Sequence, residues 1–201
     1  MQRFDKLSDI SDKKRPLRFK DVYSAITPTL LEFMYGASVL TVQAISASSM
    51  ANFGMEESKF LALCFGVLFT GATISHIFFY IFQCKFRRAF IVTSYSFAVG
   101  LLCSAFYQNL IAILIGRFLI GFAAGIIVSY LPTYLCELSP TSFKPFFSAL
   151  NVCGFASGIL VFNLLYSFIV KYYFWSMISM AVLCFILPVF LYMCIVFKRE
   201  N

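Results

Sequence analysis

Charge is scarce in this chain. Asp, Glu, Lys and Arg make up 12% of the 201 residues, against roughly a quarter in an ordinary soluble domain. Histidine occurs once, at His76, and tryptophan once, at Trp175. With one histidine and no nucleophile arrangement near it, the usual hydrolase constellations are excluded. There is no HExxH stretch, no Gly-rich phosphate loop and no second histidine to serve a serine site. An enzyme is therefore not expected, and neither is a cofactor. The seven cysteines (Cys64, Cys84, Cys103, Cys136, Cys153, Cys184 and Cys194) are odd in number and lack metal-ligand spacing. Most fall in apolar blocks and read as small buried hydrophobes, with no metal site.

What the chain has instead is apolar sequence, 61% of its residues. It comes in long blocks, which points to membrane spans rather than to one soluble core. Six spans are expected, at about 24–46, 60–82, 89–107, 110–135, 146–169 and 174–197. Each is near the roughly twenty residues that a bilayer core demands. Residues 1–22 are polar and mixed in charge, with no short apolar core and cleavage site, so they read as a cytosolic tail rather than a signal peptide. The fold class is an all-α membrane protein, a six-helix transmembrane bundle over 23–197, with a short cytosolic end at 198–201.

The basic residues orient this bundle. Arg3, Lys6, Lys13, Lys14, Arg15, Arg18 and Lys20 lie in the tail; Lys85, Arg87 and Arg88 follow span two; Lys144 follows span four; Lys198 and Arg199 close the chain. The opposite side has only Lys59 and Lys171. The positive-inside rule then puts both ends in the cytosol. The net charge of +7 is a matter of membrane topology, so no nucleic-acid partner is expected.

The polar residues inside the spans are the candidates for function, because such residues face protein or water rather than lipid. In span one, Glu32, Tyr35, Gly36, Val39, Gln43 and Ser46 share one helical face at about 100° per residue. That stripe suits the wall of a solute cavity, and equally a hydrogen-bonded seam between helices. In span two, His76, Tyr80 and Gln83 share a face, read as a packing histidine or a proton relay. In span five, Asn151 stands on the same side as Gly154 and Gly158, where a neighbour can approach closely. Trp175 reads as an interfacial anchor. Span four carries Arg117 about seven residues in, roughly 10 Å deep, which places it toward the bundle interior. Gly121 and Gly125 give a close-packing GxxxG spacing. Pro132 removes one helical hydrogen bond and is expected to kink the inner end. Glu137 then emerges at the cytosolic boundary. It lies about 30 Å from Arg117 along a helix, so the two charges need separate partners. For Glu137 these are Lys85, Arg87, Arg88 and Lys144.

Three stretches make the chain resemble the sugar porters of the major facilitator superfamily. GRFLIGFAAG (116–125) is similar to the family's fourth-helix motif G-R-[FL]-x-x-G-x-x-x-G. PTYLCELSP (132–140) is similar to P-x-Y-x-x-E-x-[AS]-P, and SALNVCGFASGILVFNLL (148–165) to the fifth helix. The resemblance implies the amino-terminal six-helix half of a transporter that moves a sugar or similar small polar solute, such as a hexose, by alternating access. It implies a cytoplasmic charge network around Glu137 with Lys85, Arg87, Arg88 and Lys144. It also implies a solute pathway touched by Glu32, Tyr35, Gln43, Arg117 and Asn151.

The chain departs from that pattern in places. In FYIFQCKFRRAF (79–90), Gln83 stands where the family has aspartate and Phe86 where it has glycine. Val152 replaces the glutamine that contacts sugar hydroxyls. In FMYGASV (33–39), Gly36 occupies the place of the aspartate of proton-coupled members, which favours facilitation without coupling; Glu32 lies one turn earlier. The family's site lies between two six-helix halves. The expected partners are thus the lipid bilayer, a solute, and a second half or a second copy of this chain. A plasma membrane is the expected location. The alternative is a membrane binding or regulatory protein, derived from a transporter, that no longer transports.

Overall fold

The computed structural model describes residues 19–82, 86–106, 108–138 and 143–200, and side chains for 25–26, 29–46, 54–81, 88–106, 108–133 and 143–186. Among the described residues there are six long helices and one short one. They are α1 (Phe19–Phe53), α2 (Glu57–Phe82), α3 (Phe86–Ala105), α4 (Leu110–Leu138), α5 (Lys144–Leu164), α6 (Tyr166–Lys171) and α7 (Tyr173–Glu200). By length and composition, α2, α3, α4 and α5 each contain a stretch able to cross a membrane. The first helix is 35 residues long, long enough to span, but carries Glu32 and Gln43 in its middle. In α7 the apolar stretch Tyr173–Ile186 is shorter, because side chains beyond it are not described. The tail at 1–18 and the connectors at 83–85 and 139–142 lie outside the described residues.

Local chemistry sets the boundaries. Gly54 follows α1 with φ 59°, a left-handed backbone that glycine adopts without steric cost and that commonly ends a helix. Asn109 opens α4: its side-chain Oδ1 accepts a hydrogen bond from the Ile111 backbone N–H at 3.0 Å, satisfying a donor that the helix start leaves free. Pro145 sits in the first turn of α5, where its missing N–H costs nothing. The stretch taken as the end of the fifth span is divided in two. Asn163 Nδ2 donates to the Ile159 carbonyl at 3.1 Å, and α5 stops one residue later. The chain turns at Leu165 and resumes as α6. Backbone hydrogen bonds still cross the turn, from Leu165 N–H to the Val161 carbonyl at 3.0 Å and from Ile169 N–H to the Leu165 carbonyl at 2.9 Å.

The bundle is built from close helix pairs. The most extensive contacts are α2 with α4, α3 with α4, α1 with α5, and α3 with α7. Glycine makes the first of these possible. A Cβ at Gly121 would run into the Leu68 backbone, one at Gly125 into Ala72 and Ser75, and one at Gly71 into the Phe118 backbone. The α1–α5 pair is made the same way. A Cβ at Gly36 would meet the Phe155 carbonyl, and one at Gly158 the Phe33 carbonyl. In lipid there is no hydrophobic drive between helices, so backbone approach and dispersion carry the association. The main core joins Val42 and Ile45 of α1, Phe97 and Leu101 of α3, Ile113 and Ile120 of α4, and Met177 of α7. The outer surface is apolar: Phe69, Ile77, Ile111, Phe168 and Trp175 are exposed, as a lipid-facing surface requires.

Replacing Gly121 with Leu should force α2 from α4 and lower stability by about 3 kcal/mol, the upper end of ordinary overpacking. Gly66 faces open space, so Gly66→Leu should change stability little. Thermal unfolding of both variants in detergent micelles checks the contrast.

Candidate functional site

Arg117 is the most buried charge described, 1% exposed. It lies one turn before Gly121 on the stretch of α4 that passes close to its neighbours. Its Nη1 donates to the Ser38 carbonyl at 3.0 Å, and its Nη2 to Thr41 Oγ1 at 2.6 Å. Thr41 Oγ1 in turn donates to the Ser38 carbonyl at 2.7 Å, and Ser38 Oγ to the Tyr35 carbonyl at 2.8 Å. Cys64 of α2 and Tyr173 of α7 are close enough to interact electrostatically with the guanidinium. Tyr173 OH donates to the Ser104 carbonyl of α3 at 2.9 Å. One side chain of α4 thus gathers α1, α2, α3 and α7. Among the described residues, the Nε of Arg117 and Oγ of Ser104 are buried without a hydrogen-bond partner. A guanidinium held by a carbonyl and a hydroxyl is hydrogen-bonded but not neutralised.

The polar stripe of α1 divides into different environments. Glu32 is 4% exposed and hydrogen-bonds to the Asn151 side chain of α5. Tyr35 is half-buried and its ring packs on Phe155, with centroids 5.2 Å apart. Gly36 and Ser46 are buried, Val39 is half-buried, and Gln43 is exposed. Ser46 Oγ donates to the Gln43 carbonyl at 2.8 Å. The structure therefore joins Glu32 with Asn151 and Tyr35 with α5. It holds Arg117 farther along α1, and leaves Gln43 at the surface.

The charge group expected around Glu137 is only partly described. Arg88 and Lys144 are exposed. Lys85 lies outside the described residues, as do the side chains of Arg87 and Glu137, and Gln83. The α4 helix runs through the half-buried Pro132 to Leu138 without interruption. Among the described residues, the ion pair present is Lys59–Glu56 at 3.1 Å, with both partners mostly exposed. A pair so exposed contributes little to stability.

Some contacts were not foreseen from sequence. Ser38 and Thr41, the partners of Arg117, lie off the stripe picked out on α1. The one available signal was that a deep arginine needs acceptors, and these are hydroxyl residues three apart on a neighbouring span. His76 hydrogen-bonds through Nε2 with Ser129 Oγ of α4, and through Nδ1 with the Ala72 carbonyl at 3.2 Å. It links α2 to α4. Val152 of α5 is 65% exposed.

The family model described as "Sugar (and other) transporter" matches residues 24–201. The chain belongs to this sugar transporter family. Among individual relatives, it is similar to the probable plastidic glucose transporter 1 of Arabidopsis thaliana, 29% identical over 68% of this chain and 26% of the relative. It is similar to the glucose transporter GlcP of Staphylococcus epidermidis, 36% identical over 37% of this chain and 17% of the relative. It is also similar to the facilitated glucose transporter member 3 of solute carrier family 2 from Gallus gallus, 45% identical over 24% of this chain and 10% of the relative. The matched segment thus spans between a tenth and about a quarter of the length of these curated relatives. A sugar-porter relationship and an all-α membrane bundle agree, and the protein is an integral membrane protein.

The Arg117 contact can be tested by a double-mutant cycle. Thr41→Val should cost about 1–3 kcal/mol, because it leaves a guanidinium donor unpaired. In an Arg117→Met background the same change should cost less than about 1 kcal/mol, since no donor remains. Thermal or denaturant unfolding of the four variants gives the coupling.

Proposed function

We propose that this chain forms one six-helix half of a facilitative transporter for a hexose or similar small polar solute. It works by alternating access, paired with a second half or a second copy of itself. The observation that carries this reading is Gln43, an amide exposed partway along a membrane helix. Such a group is costly against lipid and suited to a solute pathway. Tyr35, two turns earlier on α1, and Asn151 of α5, beside Glu32, add polar groups along the same pair of helices. Arg117 lies behind that wall and fixes α1 to α4. Glu137, with Lys85, Arg87, Arg88 and Lys144, forms the cytoplasmic gate, and Pro132 with Gly121 and Gly125 sets how α4 moves against α2. Both ends of the chain face the cytosol, and the plasma membrane is its location.

A second reading is supported by Val152. An exposed valine has no hydrogen bond to offer where a sugar hydroxyl needs one. On that reading the chain is a non-transporting membrane binding or regulatory protein.

Reconstitution of the chain into liposomes separates them. Transport predicts hexose uptake above that of empty vesicles, with Gln43→Ala lowering the initial rate about three- to tenfold, the worth of one neutral hydrogen bond. Uptake equal to that of empty vesicles, with a monomer by native mass spectrometry, supports the non-transporting reading instead.

A further inference from the structure

Glu32 and Asn151 present a hydrogen-accounting problem. Glu32 is 4% exposed in the middle of a membrane-spanning bundle. Its partner there is the Asn151 side chain. The Asn151 Oδ1 atom is itself buried and has no hydrogen-bond partner among the described residues, so the bond to Glu32 is donated by Nδ2. An ionised carboxylate has lone pairs but no hydrogen. It can accept from Nδ2, yet it can offer nothing to Oδ1, and turning the amide over only exchanges which end is left out.

No cation offsets a charge at this position among the described residues. Arg117 of α4 is committed to Ser38 and Thr41, farther along α1. Cys64 of α2 and Tyr173 of α7 cluster around that guanidinium. Tyr166 of α6 packs on Phe162, Cys153 of α5 is exposed, and Tyr35 carries no charge to offer. The surrounding contacts are tight. A Cβ at Gly154 would touch Thr29 and lie 3.5 Å from the Glu32 Cβ, so α5 packs directly against the base of the Glu32 side chain. An unpaired charge buried this way in a membrane protein is expensive.

We infer that Glu32 and Asn151 form a proton-binding site, in which a neutral carboxylic acid and the amide make a two-bond cyclic pair between α1 and α5. The acid O–H donates to Asn151 Oδ1, and Asn151 Nδ2 donates to the acid carbonyl. One proton from solvent both removes the charge and satisfies the orphaned oxygen. Its departure breaks one bond and leaves a charge between two helices held by Gly36, Gly154 and Gly158. The α1–α5 contact is therefore proton-linked. This site does not depend on whether the chain transports a solute.

Infrared spectroscopy of the full chain in nanodiscs tests it. At neutral pH the wild type should show a protonated-carboxyl C=O stretch, from a hydrogen-bonded acid, that Glu32→Gln and Glu32→Ala both abolish. Asn151→Ala should shift that stretch toward a free acid. Glu32→Gln reproduces the donor and acceptor of the neutral acid, so its thermal midpoint should stay within about 2 °C of wild type. Glu32→Ala should lose roughly 3–6 °C, as one or two buried hydrogen bonds do in a chain of this size. The site is overturned by the absence of a Glu32-dependent carboxyl stretch at neutral pH, by a stretch unmoved in Asn151→Ala, or by Glu32→Gln as unstable as Glu32→Ala.

Discussion

The constraint on which this bundle depends is the burial of one guanidinium. Arg117 sits where water does not reach and is held by a carbonyl and a hydroxyl of α1. A buried cation cannot be left without acceptors, since each unsatisfied donor carries its full desolvation cost. That requirement pins α1 to α4 at one height and one rotation. Cys64, Ser104 and Tyr173 then bring α2, α3 and α7 to the same level. Neighbouring helices can slide only if all of these contacts are given up together.

Around that point, packing depends on the absence of side chains. The α2–α4 and α1–α5 pairs both rest on glycines whose missing Cβ atoms would strike backbone. Backbone-to-backbone contact leaves few rotamers to reorganise, so each pair behaves as one body. The polar links across these pairs, His76 with Ser129 and Glu32 with Asn151, add direction to contacts that dispersion alone would leave slippery. A protein of the sugar transporter family that works by alternating access needs units of this kind, which tilt without deforming.

The fold was legible in the sequence to the extent that lipid dictates it. Long apolar blocks and the clustering of basic residues were enough for an all-α membrane bundle. The division at Leu165 was not legible, because the stretch holds no proline or glycine near it and backbone hydrogen bonds cross the turn. At the candidate site, the depth of Arg117 indicated an interior position, but the spacing of Ser38 and Thr41 did not name α1 as its neighbour. One acceptor is a main-chain carbonyl, which every residue possesses. Glu32 and Asn151 were each visible as polar residues in a span, yet their pairing needs the knowledge that α1 lies on α5, which one sequence does not contain. Gly121 and Gly125 signalled a close approach without naming α2 as the neighbour. Glu137 remains a matter of motif, its side chain lying outside the described residues.

The mixed character of the Arg117 cradle has a consequence for how this sequence can drift. Ser38 contributes its carbonyl to the guanidinium, while its hydroxyl turns back to Tyr35. Thr41 contributes its side-chain oxygen. Substitution at position 38 by another small residue leaves the acceptor in place, because the acceptor belongs to the peptide chain. Substitution at position 41 removes it unless a hydroxyl returns. Two neighbouring positions on one turn of α1 thus face unequal constraints: size alone at the buried first, and a hydroxyl at the second.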